Sequence, residues 1–188
     1  MSDSSFLSLV AHPDTPNPAV RRVTACVGRE GPDSLRFRYV LEADPEQLRI
    51  APPVTAAGRA DKLWAHTCFE AFVGLPRSPG YLELNFSPSG EWAAYRFESY
   101  RKGMLPAALE VAPRLVLRRS GARLELQAEV RLSGSEAARS PRLRIALSTV
   151  VEDREGRLSY WALRHAPGRP DFHHPDSFSL AIELPATP

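Results

Sequence analysis

The chain has 188 residues, 43% hydrophobic and 24% charged, with a formal net charge of +2 at pH 7. This length is enough for a single buried core, and we predict one domain spanning residues 1–188. The near-neutral charge gives no electrostatic case for nucleic acid or a membrane surface as a partner.

The cysteines and the N-terminal segment bear on location. Cys26 and Cys68 form neither a metal-binding motif nor a disulfide framework, which suits a reducing compartment. The first ten residues lack the basic region and long apolar stretch of a secretory signal. No segment reaches eighteen consecutive apolar residues. We therefore expect a soluble, cytoplasmic protein, whose oligomeric state stays open.

Short strands dominate the chain. Its eighteen prolines are spread over nearly the whole length, and long helices do not tolerate that spacing. Between the prolines, apolar and polar residues alternate as in half-buried strands. The candidate strands are 20–27, 35–41, 81–87, 91–98, 115–118, 124–131, 143–148, 158–164 and 178–184. They predict an all-β fold, an antiparallel, jelly-roll-like β-sandwich.

Turn-forming residues separate several of these strands. The Ser-Pro-Ser-Gly sequence at 87–90 joins the strands on either side of it into a predicted hairpin. The Asp-Arg-Glu-Gly sequence at 153–156 predicts a second hairpin turn. Segment 133–139 predicts one helical turn, capped by Ser133 or Ser135.

Segment 61–75 fits two structures. Its apolar residues recur at helical spacing, with Asp61 as a possible cap, which indicates a short helix. Residues 68–73 equally fit a continuous, fully buried strand. Periodicity alone does not decide between these two possibilities.

A charged residue interrupts the aromatic run within segment 61–75. Glu70 lies next to Phe69 and close to Phe72, where a carboxylate is costly to bury unless it is paired. Either Glu70 forms an ion pair with Arg96 or Arg101, or it accepts hydrogen bonds from the hydroxyls of a ligand.

One predicted strand carries a polar face. Glu83 and Asn85 fall on the same side of the strand as Tyr81, because alternate residues share a face. This face is either solvated or, if it is concave, part of a binding site.

These residues resemble a known family. Trp64 is followed six residues later by Glu70, and then by a Tyr-x-Glu-x-Asn-x-Ser-Pro-x-Gly hairpin at 81–90. Together with 158–165 and 170–176, this resembles the DOMON-like domains, in particular the branch related to family 9 carbohydrate-binding modules. The match covers most of residues 61–183.

The resemblance implies a β-sandwich that binds a sugar. In those modules two tryptophans clamp a terminal sugar, while Glu, Arg and amide groups bind its hydroxyls. Trp64 matches the first tryptophan, Glu70 the acid and Arg96 the arginine, and Trp161 is the candidate for the second aromatic. The remaining ligand-binding candidates are Asn85, His165 and His173. The resemblance thus implies a small-molecule sugar or sugar derivative as partner.

Two alternatives stay open. Other DOMON domains bind haem through Met and His, and Met104 could supply that pair with one of the histidines His66, His165, His173 and His174. The other alternative is a structural or interaction domain without a small ligand, in which the aromatic and acidic residues are core and buried ion pairs.

Metal binding and catalysis find less support. The best metal candidates are His173 and His174 with Asp171, Asp176 and His165, but no spaced ligand motif is present. Glu70 and Glu83 could act as an acid–base pair of the kind found in glycoside hydrolases. Because no nucleophile elbow, phosphate loop or dinucleotide fingerprint is present, we favour a non-catalytic module without metal or cofactor.

Overall fold

The computed structural model describes residues 5–183, and within them the fold is almost entirely β. The strands are β1 (Leu7–Ala11), β2 (Val20–Arg29), β3 (Ser34–Ala43), β4 (Cys68–Gly74), β5 (Tyr81–Phe86), β6 (Trp92–Phe97), β7 (Leu105–Pro106), β8 (Arg114–Ser120), β9 (Arg123–Arg131), β10 (Arg142–Glu152), β11 (Leu158–Ala162) and β12 (Leu180–Glu183). One helical turn, α1 (Glu136–Arg139), and three short 3-10 turns (Pro45–Gln47, Leu63–Ala65 and Pro175–Ser177) complete the described elements. The predicted all-β class is confirmed.

The strands form one continuous antiparallel ladder that folds over on itself. Its order is β7-β6-β5-β4-β10-β11-β1-β2-β3-β9-β8, and β12 also pairs with β10. We call β1, β2, β3, β9 and β8 the first sheet, and β7, β6, β5, β4, β10, β11 and β12 the second sheet. Strand β1 joins the two, because Leu7–Leu9 pair with β2 while Val10 and Ala11 pair with β11. This curled arrangement is the predicted antiparallel sandwich.

The main core lies between the two sheets. Alternate residues of β3 point inward, so that Phe37 and Tyr39 are fully buried. Phe37 packs against Phe86 of the second sheet with ring centres 5.8 Å apart, and Tyr39 packs against Phe69 at 5.2 Å. Burying such a side chain stabilises the fold by roughly 1.5–3 kcal/mol.

Strand β4 decides the ambiguity in segment 61–75. The helical alternative is wrong, because Cys68–Gly74 is a strand and Leu63–Ala65 forms only a short 3-10 turn. Every residue of β4 is buried, since the core covers one of its faces and loops cover the other. A strand covered on both faces shows no alternation in its sequence.

The predicted turns are confirmed. In the turn at 87–90, the Gly90 N–H donates to the Ser87 carbonyl at 3.0 Å, and the φ of +92° at Gly90 favours glycine. The turn at 153–156 closes with the Asp153 N–H donating to the Arg157 carbonyl at 3.0 Å. Ser135 caps α1, where its hydroxyl accepts from the backbone N–H of Ala138 at 3.3 Å.

No helix among residues 5–183 is both long enough and apolar enough to cross a membrane. The last residue of the predicted strand at 178–184 lies outside the described residues, and β12 begins at Leu180 rather than at 178.

Candidate functional site

A cavity of about 320 Å³ lies on the outer face of the second sheet, away from the main core. Strands β4 and β5 form its floor, and segments 61–67, 98–104 and 163–179 lie over it. Its lining residues are Trp64, Glu70, Glu83, Phe97, Arg101, Met104, Val150, Tyr160, Pro170, Phe172 and His173. The floor carries the polar side chains, because Glu70 and Glu83 alternate with core residues along β4 and β5.

Glu70 is buried in the floor of this cavity. It is only 3% exposed, and its Oε1 atom has no hydrogen-bond partner among the described residues. Its backbone is firmly held, because the hydroxyl of Tyr39 in the first sheet donates to the Glu70 carbonyl at 2.7 Å. A buried carboxylate oxygen without a partner is costly. The backbone of Glu70 is thus held, while its carboxylate keeps unused acceptor capacity in the cavity.

Glu83 lies beside Glu70 on the next strand and is held by Asn85. The fully buried Asn85 side chain donates from Nδ2 to Glu83 Oε1 at 2.7 Å. On the other side, Glu83 Oε2 lies 3.8 Å from Nε2 of His173. These contacts orient the Glu83 carboxylate within the cavity.

Burial shifts the titration of all three groups. Burial raises the pKa of Glu70 well above its ordinary value, and repulsion from Glu83 adds to this rise. Burial also raises the pKa of Glu83, although the hydrogen bond from Asn85 and the charge of Arg101 oppose it. Burial lowers the pKa of His173 to about 4, helped by Arg101 and opposed by Asp171. At neutral pH, His173 is uncharged.

Arg101 ties together two of the loops over the cavity. Its Nη2 and Nε donate to Asp171 Oδ1 at 2.8 and 3.2 Å, and the Tyr100 hydroxyl donates to Asp171 Oδ2. The backbone N–H of Arg101 donates to the Tyr81 hydroxyl at 3.2 Å. The Arg101 charge is therefore shared between Asp171, with which it forms an ion pair, and Glu83, whose charged form it stabilises from a distance.

His173 is fixed from the floor as well. Its Nδ1 lies 2.9 Å from the Tyr81 hydroxyl, and its ring packs against Phe97 and Phe72 at 5.0 and 5.1 Å between centres. Because the Tyr81 oxygen accepts from Arg101, its own proton is available for Nδ1 of the neutral imidazole. Nε2 then carries the imidazole proton, on the side of Glu83.

Aromatic side chains form the walls. Trp64 is partly buried and lines the cavity, and its ring meets that of Tyr95 edge-on with centres 5.5 Å apart. Tyr160 and Phe172 contribute two more rings, which lie 5.8 Å apart. Met104, which is 43% exposed, lies at the rim. Flat apolar rings beside fixed polar groups suit a ligand with both apolar faces and hydrogen-bonding groups.

The structure brings together part of the predicted site. Trp64, Glu70 and His173 line one cavity, and Asn85 lies directly behind Glu83. Arg96 does not join them, because it is exposed on the opposite side of β6 from Tyr95 and Phe97. The arginine that lines the cavity is Arg101, so an ion pair between Glu70 and either arginine is also absent among the described residues.

Two further predicted residues lie elsewhere. Trp161 is 8% exposed and belongs to the core between the sheets, where its indole N–H donates to Ser159 Oγ at 3.2 Å. His165 is not among the lining residues, and its Nε2 lies 2.8 Å from the Val10 carbonyl. Trp161 therefore cannot stack on a ligand in this cavity without leaving the core.

The residues considered for haem and for metal have other partners. Met104 and His173 line the same cavity, where Nδ1 of His173 lies 2.9 Å from the Tyr81 hydroxyl and Nε2 lies 3.8 Å from Glu83. Haem ligation by Met104 and a histidine stays a prediction. His174 caps a 3-10 turn, with Nδ1 accepting from the N–H of Asp176 at 3.2 Å. Among residues 5–183, no group of three or more His, Cys, Asp and Glu side chains could hold a metal ion.

Several lining residues were not in the predicted ligand-binding set. Glu83 carried a usable signal, because it shares a face with Tyr81 and Asn85 on a strand whose other face is apolar. Arg101 and Phe172 carried none, since they come from irregular segments whose side-chain directions follow no period.

Comparison with known proteins finds the same fold. No protein-family model and no curated protein matches this sequence. A candidate carbohydrate-binding protein from Bacteroides uniformis ATCC 8492 matches with a TM-score of 0.68 and 16% identity, over 93% of this chain and 84% of that one.

A family 9 carbohydrate-binding module from Caldicellulosiruptor kristjanssonii in complex with glucose matches with a TM-score of 0.58 and 11% identity, over 99% of this chain and 86% of that one. A family 9 module from the same organism with cellotriose matches with a TM-score of 0.55 and 10% identity, over 88% and 75%. This chain has the fold of these modules. At such low identities the likeness establishes the fold alone.

Proposed function

We propose that this chain is a non-catalytic module that binds a carbohydrate or sugar derivative in the cavity of the second sheet. The observation that carries the proposal is the buried Glu70 carboxylate, whose Oε1 has no hydrogen-bond partner within residues 5–183 and which lies in one cavity with Trp64. Two solved structures of the same fold contain glucose and cellotriose, which supports a sugar as the ligand.

Residues from both the floor and the walls of the cavity would contact the sugar. The face of Trp64 would stack on the apolar face of a sugar ring, whose polarised C–H groups are attracted to the aromatic ring. Glu70 would accept hydrogen bonds from ligand hydroxyls, and these would satisfy the oxygen that the protein leaves unpaired. His173 would donate from its imidazole N–H, which burial keeps neutral.

The size of the cavity limits the ligand. At about 320 Å³ it lies near the lower end of small-molecule sites, which run from roughly 300 to 1,000 Å³. A short sugar, or the end of a longer chain, is the occupant that this volume suits.

The two carboxylates are placed where they can act on one ligand together. Glu70 pairs across the ladder with Asn85, and Glu83 pairs with Phe72. The two carboxylates are therefore diagonal neighbours on the floor of the cavity. Glu70 and Glu83 project from adjacent strands into the same cavity, where both can contact one bound ligand.

A titration with sugars tests the proposal. We expect that a matching sugar, found in a panel of mono- and disaccharides, perturbs tryptophan fluorescence and releases heat in calorimetry. Trp64→Ala should abolish binding, whereas Arg96→Ala, at a charged residue outside the cavity, should leave it unchanged. Absence of binding across the panel, or full binding by Trp64→Ala, would contradict the proposal.

Family and location belong to the same proposal. The motif match at 61–90 supports placement among the DOMON-like domains, and the sparse cysteines support a cytoplasmic location. The proposed binding requires no metal and no cofactor.

A further inference from the structure

The charges that line the cavity do not balance. Glu70 and Glu83 contribute two carboxylates, both at most 4% exposed. Arg101 is the one arginine among the lining residues, and Asp171 already pairs with it at 2.8 Å. His173 is neutral above a pH of about 4. The described part of the cavity therefore has more acidic groups and hydrogen-bond acceptors than basic groups that could complement them.

Protein groups satisfy only part of this acceptor capacity. Asn85 donates to one oxygen of Glu83, but no donor in the described part of the chain reaches Oε1 of Glu70. Two buried carboxylates on adjacent strands repel each other, and sugar hydroxyls would not remove that repulsion because they are neutral. A cation placed between the carboxylates would remove it and would supply hydrogen bonds at the same time.

A protonated amine fits these requirements. An ammonium group has three N–H donors and no acceptor, so it complements an acceptor-rich wall. The flanking face of Trp64 would also attract a cation. A neutral N-acetyl or hydroxyl group in the same place would bring no charge.

We propose, building on the sugar-binding function above, that the ligand is an amino sugar with a free amine, which is seated between Glu70 and Glu83. The sugar ring lies against Trp64, and its protonated nitrogen donates to both carboxylates. This chemistry distinguishes the ligand from a neutral sugar of the same shape.

Matched sugars test the proposal in calorimetry on the full chain at pH 7 and low salt. Glucose, glucosamine and N-acetylglucosamine form one set, and the corresponding galactose compounds form a second. Cyclohexylamine serves as an amine of similar ring size without hydroxyls. In the set with the correct stereochemistry, we expect the amino sugar to bind about tenfold tighter, or more, than its two neutral relatives. Added salt should reduce that preference.

The outcomes separate the two proposals. If neutral sugars bind as tightly as amino sugars, the amine proposal fails while the sugar-binding function stands. If none of the sugars bind, both fail. If cyclohexylamine binds as tightly as the best amino sugar, the site recognises an amine rather than a sugar, and the amino-sugar proposal is overturned.

A substitution checks which residues set the preference. Glu83→Gln keeps the shape of the side chain but removes one acidic group, so we expect it to erase most of the preference for the amine, measured as the ratio of amino-sugar to neutral-sugar affinity within that variant. Glu125→Gln, on the outer face of the first sheet, is the matched control and should leave the preference intact. Circular dichroism verifies that both variants fold, and an unchanged preference in folded Glu83→Gln contradicts the proposal.

Discussion

The outer faces of the two sheets have the same alternating sequence pattern, but they differ in how far their polar residues are exposed to water. In β9, Glu125 and Glu129 alternate with core residues, and in β5, Glu83 and Asn85 do so. On the first sheet the carboxylates stay in water and pair with arginines, as Glu125 does with Arg123 at 2.6 Å. On the second sheet the polar residues are almost fully buried.

The loops make this difference. Segments 98–104 and 163–179 lie over the second sheet and remove its polar residues from water, so that Glu83 is only 4% exposed. The side chain of Glu125, on the uncovered first sheet, is 37% exposed. A polar strand face therefore becomes a binding site when loops enclose it, and the alternation of the strand alone does not create one.

The largest expected effect concerns apolar residues that point outward on each sheet. Phe72→Ala should lower the free energy of unfolding by about 3–5 kcal/mol, because Phe72 is fully buried beneath the loops. Val116→Ala, on the half-buried outer face of β8, should lower it by less than about 1 kcal/mol. Urea unfolding measures both. Equal losses would mean that the loops add no second core.

A pH profile of stability tests the enclosure of His173. Its pKa is about 4 in the folded protein against 6.5 ordinarily. A lowered folded pKa adds stability above pH 6.5 that is lost as pH falls toward 4, on the order of 3 kcal/mol in all. His173→Gln should flatten this part of the urea-unfolding profile. His174→Gln, at its exposed neighbour, is the control, and equal slopes in both variants would contradict burial of His173.

Glu70 should act in the opposite direction. Because the folded pKa of Glu70 is raised above 4.5, its contribution to stability is complete below that pH and is lost as pH rises through the folded value. Glu70→Gln should therefore unfold at a higher urea concentration than the wild type at pH 7, and at a similar one at pH 4. Glu125→Gln should change the free energy of unfolding by no more than about 0.5 kcal/mol. Parallel profiles for Glu70→Gln and the wild type would show that its carboxylate is solvated.

The smallest effect on global stability concerns two arginine ion pairs. The Arg101 and Arg123 side chains are 53% and 46% exposed, so Arg101→Gln and Arg123→Gln should each cost less than about 1 kcal/mol. Only Arg101→Gln should speed hydrogen exchange in segment 163–179, because Arg101 fastens that segment through Asp171. If Arg101→Gln leaves hydrogen exchange in segment 163–179 unchanged, the Arg101–Asp171 ion pair does not hold that segment over the second sheet.

Alternation predicted the strands well where one face is apolar. It placed β3, β5 and β9 and the shared face of Glu83 and Asn85, because a half-buried strand shows a period of two residues. It did not decide the structure of β4, which is covered on both faces. It also missed β1, whose five residues are mostly exposed.

The site residues follow the same logic. Glu70 could be singled out from the sequence, because a carboxylate between aromatic residues is costly to bury unless it has a partner. The structure shows that it is buried. Sequence could not choose between Arg96 and Arg101, because that choice depends on which face of the sheet the loops cover. Nor could it show that Trp161 points into the core, since either face of β11 could have accepted an aromatic ring.

The two ends of the ladder bear on how the protein meets other copies of itself. The terminal strand β7 has two residues, and one of them, Pro106, has no backbone N–H to offer a further strand. The other terminal strand, β8, carries Arg114, Arg118 and Arg119, whose charges repel an identical edge. Both ends therefore resist edge-to-edge growth, so a fold with a long ladder and many apolar strands keeps a built-in protection against aggregation.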